Sequence, residues 1–188
     1  VLEASRKAME RMDPKRLTAD NFLLPDPLTG EFTGQDGDGR AHRLSAVDRA
    51  HEILAIRIDE DVPEPVRNRF ELARGILLYG FFWYPLWVQG TVEALQAAEL
   101  ALVAACEAAQ GPKRLNSAES RIEWLEKRRT LEAADAGTWT SLVGVRAALA
   151  EAGETPILTP RKSLDVLEAV SQAINGLFRG EDGEEEEE

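Results

Sequence analysis

Thr159-Pro160-Arg161-Lys162-Ser163-Leu164 opens a stretch that closes on Ile174-Asn175-Gly176-Leu177-Phe178, and its reading decides the fold. Threonine is a good N-cap, and proline is tolerated in a first helical turn because its missing N–H would have no partner there. Leu164, Leu167, Val170, Ile174 and Leu177 then recur at helical spacing, so one face of the helix is apolar. Upstream lies Arg146-Ala147-Ala148-Leu149-Ala150-Glu151, the end of a helix predicted over roughly Thr138–Glu151 with Trp139, Leu142, Val143 and Leu149. Gly153 is placed to terminate it.

The same reading extends toward the N-terminus. Helical periodicity begins near Ser45, with Val47, Leu54 and Ile58, and runs to Asp59-Glu60-Asp61. Pro63 and Pro65 start a second helix whose face carries Val66, Phe70, Ala73, Leu77 and Phe81. Pro85 interrupts that run. Beyond it Val88, Val92, Leu95, Leu102 and Cys106 form another stripe, which Gly111-Pro112 stops. Asn116 to Glu119 has capping-box spacing, and the helix it opens carries Ile122 and Leu125 as far as about Leu131. No β-hairpin signal competes and no internal repeat is evident. The fold class expected is an all-α helical bundle.

At 188 residues with 44% hydrophobic content, the chain suits one domain with a real core. Its expected organisation is an N-terminal helix and irregular arm over residues 1–44, a helical domain over 45–179 and a disordered acidic tail over 180–188. The tail holds seven of the negative charges, so the formal net charge of −12 falls to −5 without it. It reads as a solubilising or self-repelling segment. This balance disfavours a broad nucleic-acid-binding face. In the arm, Val1–Met12 can form a short helix. Asp26-Pro27-Leu28-Thr29-Gly30 is turn chemistry, and Gly34 to Gly39 reads as a flexible loop. Asp36 and Asp38 hint at a calcium loop, but Arg40 and Val47 occupy positions that need ligands.

The single Cys106 cannot form an internal disulfide, and its apolar helical setting predicts a buried thiol. Two His and one Cys make no ordinary zinc site, and no cofactor motif is present, so neither metal nor cofactor is expected. No signal-peptide pattern is visible, and a cytoplasmic setting is expected. The chain starts at Val1 rather than Met, as a trimmed chain would.

Gly75 to Val92 has no charged residue over 18 positions and contains Tyr79, Phe81, Phe82, Trp83, Tyr84 and Trp87. Its length grazes that of a membrane-spanning helix. Pro85 at its centre, three glycines and amphipathic sequence on both sides argue instead for a buried helix pair or a subunit interface. Tyr79, Phe82, Trp83 and Trp87 are the expected interface residues.

Among charged residues, Glu99 lies at helical spacing from Val92, Leu95, Leu102 and Cys106 and therefore points at an apolar face. An ionised carboxylate there needs a partner. Arg74 and Arg146 are the candidates, with Glu99–Arg74 expected as a buried ion pair. Lys127-Arg128-Arg129 is the densest basic stretch, interspersed with acids that favour helix-surface salt bridges. A modest RNA or nucleotide contact is the alternative.

These phrases together resemble bacterial HEPN-like proteins over about Ile53–Phe178. Arg146 stands where that family has the Arg of an Arg-Asn pair, Ala147 takes the Asn position and Glu151 the His position. Arg74-x-x-Leu77-Leu78-Tyr79-Gly80 before the aromatic cluster is similar to the family's first long helix. Leu95-x-x-x-Glu99-Leu100-Ala101-Leu102 is similar to its Leu-Glu-x-Ala-Leu segment. The resemblance implies a homodimer whose RNA-cleaving signature is incomplete, in a bacterial RNA-targeting defence or toxin–antitoxin setting. In HEPN ribonucleases the Arg holds the scissile phosphate and the His moves protons, which suits its pKa. Ala147 and Glu151 replace the groups that work needs. The leading expectation is thus a non-catalytic interaction or RNA/nucleotide-binding module. The rivals are a divergent metal-independent ribonuclease using Arg146 and Glu151, and a purely structural oligomerisation subunit.

Overall fold

The computed structural model describes residues 15–29, 33–35, 41–43, 45–151 and 158–179. Among them are six helices: α1 (Ala46–Ala55), α2 (Glu64–Tyr79), α3 (Pro85–Ala108), α4 (Ala118–Lys127), α5 (Ala133–Glu151) and α6 (Pro160–Phe178). The all-α bundle expected from the sequence is what the chain forms. The helix expected at Val1–Met12, the Asp36/Asp38 loop, Gly153 and the acidic tail lie outside the described residues. One expectation is corrected in the arm. Thr33–Gln35 (β1) pairs antiparallel with Ala41–Arg43 (β2), with Gly34 opposite His42. Periodicity could not reveal this ladder, because three residues are too few to establish an alternation.

Helix starts follow local chemistry. Ser45 Oγ accepts from the Asp48 N–H at 3.2 Å, and the Asp48 carboxylate accepts from the Ser45 N–H at 2.8 Å, a reciprocal box. In α4 the box is built by Ser117 and Ser120, one residue later than the expected Asn116 start. Thr159 caps α6 through the Lys162 N–H, with Pro160 in the first turn, as its sequence predicts. Helix α5 begins at Ala133, before the expected Thr138. There the Glu132 carbonyl accepts from the N–H groups of Asp135 and Ala136, and Asp135 suits the positive end of the helix dipole.

Helix ends are set by tertiary donors that a sequence does not display. Helix α1 stops at Ala55, short of Asp59-Glu60-Asp61. Arg74 Nη2 donates to the Leu54 carbonyl at 3.0 Å, and Ser171 Oγ and Asn175 Nδ2 donate to the Arg57 carbonyl. Side chains of α2 and α6 thereby satisfy carbonyls that a further turn would have used. At the end of α3, Gln110 takes the left-handed conformation (φ 56°), while the Gly111 N–H donates to the Cys106 carbonyl at 2.7 Å. This is a Schellman closure in which glycine sits one position beyond its usual place. Gly111 is required sterically, since a Cβ would lie 2.9 Å from that same carbonyl oxygen.

Helix α3 is the axis of the bundle, and α2, α4, α5 and α6 all pack on it. Of the predicted stripe, Leu95, Leu102 and Cys106 are buried, while Val88 and Val92 are half-buried. Burial also runs further round the helix, through Trp87, Gly90, Thr91, Ala94, Ala97, Ala98, Ala101 and Ala105. Alanine and glycine let neighbours approach on several sides, which replaces a single-face period with an all-round one. Trp87, Trp139, Phe70, Leu77, Leu95, Leu102 and Leu125 fill the centre. The apolar stripe of α6 is buried at every predicted position. No helix among the described residues is long and apolar enough to cross a membrane.

Candidate functional site

Arg146 and Glu99 meet, as one of the two pairings expected for Glu99. Arg146 Nη1 donates to Glu99 Oε1 at 2.6 Å, linking α5 to α3. Both side chains are about one-third exposed, so the pair is half-buried rather than buried. The expected Glu99–Arg74 pairing is not formed. Arg74 is buried but directed the other way, with Nη1 on Glu71 and Nη2 on the Leu54 carbonyl. The reason is geometric: Arg74 and Glu71 share α2 at i, i+3, and the end of α1 offers a carbonyl beside them.

Glu151, the residue in the family's His position, is exposed at the last turn of α5. No hydrogen bond or ion pair orients it among the described residues. His51 is exposed on α1. Lys127, Arg128 and Arg129 are exposed at the end of α4. Lys127 pairs with Glu123 one turn back, and that lysine holds the Glu123 carboxyl below its usual range. Arg128 lies 4.9 Å over the Trp124 ring, a cation–π contact. Two of the three basic side chains are thus engaged within their own helix. Cys106 is a buried free thiol, pushed up by burial and away from the reactive thiolate, as its setting predicted.

Around Arg146 the helices leave a groove of about 390 Å3 open to solvent. Arg69 of α2, Arg121 of α4 and Arg146 line it, with α3 providing Glu99, Leu100 and Val103 as its floor. Arg69 Nε lies 2.8 Å from Glu93 Oε2, although its N–H is not aimed along that line. Arg121 has no ion pair among the described residues.

The aromatic block divides into an inner and an outer part. Trp87 is 0% exposed and packs within the chain, so its expected interface role is corrected. A Cβ on Gly80 would lie 2.8 Å from its ring, which shows how closely the α2–α3 corner closes on it. Phe82 and Trp83 are half-buried, and Tyr79 is 59% exposed. Tyr79 and Phe82 have ring centroids 6.5 Å apart, and Phe82 meets Phe81 edge-on at 5.4 Å. The arm is tied to the same corner by Asp26, whose buried carboxylate accepts from the N–H groups of Leu28 and Tyr84, both at 3.0 Å. The Asp26 N–H donates to the Phe81 carbonyl at 3.0 Å. Upstream of this anchor, Phe22, Leu23 and Leu24 are exposed. The Tyr84 hydroxyl donates to the Leu158 carbonyl at 2.6 Å. Burial, then the charge of Asp26, pushes that phenol up to about 12.

Sequence reasoning missed the outer face of α2. Leu72, Gly75, Ile76 and Tyr79 fall within one helical arc, and Pro65 and Asn68 continue it without a charge. Leu72 is 49% exposed, and a Cβ on Gly75 would meet nothing within 4 Å. The spacing was visible in the sequence. It was masked by the stronger buried stripe Val66-Phe70-Ala73-Leu77 on the opposite face. Asp26 was legible as a turn residue, but its second acceptance, from a backbone 58 positions away, was not.

Compared with family models, with curated proteins and with solved structures, the chain matches none.

Proposed function

We propose that this protein is a non-catalytic helical interaction module that self-associates through the outer face of α2 and the adjoining aromatic corner. One observation carries the reading. Gly75 sits mid-helix, where glycine costs about 1 kcal/mol relative to alanine, and no atom of the described chain needs the space. Exposed Leu72 and Tyr79 flank it at one-turn spacings. A helix face that is apolar, uncharged and relieved of a side chain at its centre suits close approach by a second helix. In a two-fold homodimer the same face meets itself, so a single patch suffices. Tyr79 and Phe82, with ring centroids 6.5 Å apart, extend that patch with amphipathic and apolar area.

The ribonuclease reading has less support. Arg146 is engaged by Glu99, and Glu151 is an exposed carboxylate that no described residue positions as a proton carrier. The HEPN resemblance then describes a shared helical scaffold, and the bacterial RNA-targeting setting follows from that resemblance alone.

Light scattering on the eluting full chain tests the proposal. The wild type is expected at twice the 20.8 kDa chain mass, with Tyr79→Glu shifted toward the single mass and its helix content unchanged. A wild type at the single mass over the accessible concentration range sinks the proposal. Labelled single-stranded RNA incubated without metal is expected to stay intact. Cleavage that Arg146→Ala abolishes would restore the enzyme reading.

A further inference from the structure

The backbone where α2 turns into α3 presents an acceptor and a donor that one residue of the arm takes up together. The Asp26 N–H donates to the Phe81 carbonyl, and the Tyr84 N–H donates to Asp26 Oδ2, each at 3.0 Å. Tyr84 is the N-cap residue of α3 and makes no side-chain cap of its own, so Asp26 supplies from a distance what a capping side chain supplies locally. Asp26 Oδ1 accepts from the Leu28 N–H at 3.0 Å, and the Thr29 N–H donates to the Asp26 carbonyl at 2.9 Å. The carboxylate thus closes its own turn while it holds the corner. Asp26 is 1% exposed, and Leu28 of the same turn joins the hydrophobic core. Residues 15–24 are organised by bonds among themselves. Lys15 Nζ donates to the Asn21 carbonyl at 2.7 Å and to the Leu24 carbonyl. The Thr18 N–H donates to Asn21 Oδ1 at 2.9 Å, and Asn21 Nδ2 donates to the Arg16 carbonyl at 3.0 Å. This part of the arm carries its own shape, and Asp26 and Leu28 are where the arm meets the bundle.

We infer that the corner between α2 and α3 is a turn-recognition site, and that it takes the turn over residues 26–29 from a second copy of this chain as well as from its own. The second copy is the one that the self-association reading supplies, and the inference rests on that reading for it. Main-chain bonds fix the position of the turn, and Leu28 adds the buried apolar area. The tether allows the exchange. Residues 30–44 link the turn to the start of α1, and fifteen residues reach at most about 50 Å. That reach is shortened where Thr33 pairs with Arg43 in the β1–β2 ladder. The ladder has three residues on each strand, and an isolated two-stranded pair is marginal in water. Opening it lengthens the tether and breaks no helix. In the second copy the turn remakes the bonds to Phe81 and Tyr84 and the Leu28 contact that it gave up, which is why identical chains exchange an element at low cost.

Fluorescence anisotropy with a labelled synthetic peptide copying residues 15–29 tests the site in trans. The receptor is the 188-residue chain carrying Asp26→Ala, whose own turn has lost its hold on the corner. Saturable binding is expected. The wild-type chain is expected to bind the peptide at least tenfold more weakly, because its tethered arm competes at an effective concentration of about millimolar. A peptide that itself carries Asp26→Ala is expected to bind at least tenfold more weakly than the native one, through loss of the carboxylate's charge-assisted bond to the Tyr84 N–H. Should the Asp26→Ala chain lose helix content, Leu28→Ala serves as the receptor and is expected to bind the native peptide more tightly than the wild type does. Absence of saturable binding to either variant into the millimolar range overturns the inference. So does equal affinity for the two peptides, which would place the contact on the exposed apolar side chains rather than on the turn. Peptide binding needs no dimer, so these outcomes are read apart from the chain mass on which the self-association reading stands.

Discussion

Two glycines within fifteen residues of one another have opposite surroundings. A Cβ on Gly90 would lie 2.5 Å from the Leu77 Cγ and 3.2 Å from the Ala73 carbonyl, at the closest approach of α2 and α3. A Cβ on Gly75 would meet nothing. Both glycines lie inside continuous helices and carry the same cost in backbone entropy. At Gly90 that cost is offset inside the chain, because Leu77 and the Ala73 carbonyl occupy the space a side chain would need. At Gly75 nothing inside the described chain offsets it, and exposed Leu72 and Tyr79 stand on either side. The inner face of α2 is thus explained by the fold, and the outer face is the surface on which the proposed self-association rests.

The comparison is most easily broken at Gly90. Gly90→Val should destabilise the fold by about 3 kcal/mol, because the added branches force Leu77 off its rotamer or the helices apart. Chemical denaturation reads this as a lower midpoint at unchanged slope. A change under about 0.5 kcal/mol would mean that α2 and α3 have slack, and the contrast with Gly75 would lose its meaning.

The corner joining the two helices gives the next largest effect. The Tyr84 phenol is raised to about 12 from the ordinary 10. The folded state therefore prefers the neutral phenol. Its contribution is complete below pH 10 and disappears as pH rises toward 12, amounting to about 3 kcal/mol. Stability measured against pH should fall over that window in the wild type and less steeply in Tyr84→Phe. Parallel curves for the two proteins would show that the phenol at this corner is not the titrating group.

The link between Arg146 and Glu99 should be weaker. Both are about one-third exposed, so Arg146→Ala is expected to cost about 1 kcal/mol or less. A cost of several kcal/mol would mark the pair as part of the core rather than of a solvent-facing groove. The smallest effect returns to the first comparison. Gly75→Ala, measured at high dilution, should stabilise the fold by about 0.5–1 kcal/mol through helix propensity alone. Destabilisation there would reveal an internal contact and erase the difference between the two glycines.

Much of this architecture was legible in the sequence where local chemistry decides it. Thr159-Pro160 and the leucine-rich period after it placed α6 and its buried face, and Pro63 and Pro65 placed the start of α2. Where the determinant is tertiary, the sequence was silent. The early stop of α1 depends on donors from Arg74, Ser171 and Asn175, and the all-round burial of α3 depends on four helices surrounding it. The candidate site divides in the same way. Glu99's need for a cation followed from its place on an apolar face, but the choice of Arg146 over Arg74 was made by helix packing. Trp87 and Tyr79 belong to one aromatic run, and only the fold separates the buried ring from the exposed one.

Sedimentation equilibrium of the 188-residue wild-type chain beside Gly75→Leu tests the central claim most directly. A leucine at this open helical position is compatible with the single chain but fills the gap that a partner helix would enter. The account predicts twice the 20.8 kDa chain mass for the wild type and the single mass for Gly75→Leu, with equal helix content. A wild type at the single mass, or a variant that remains dimeric, would contradict it.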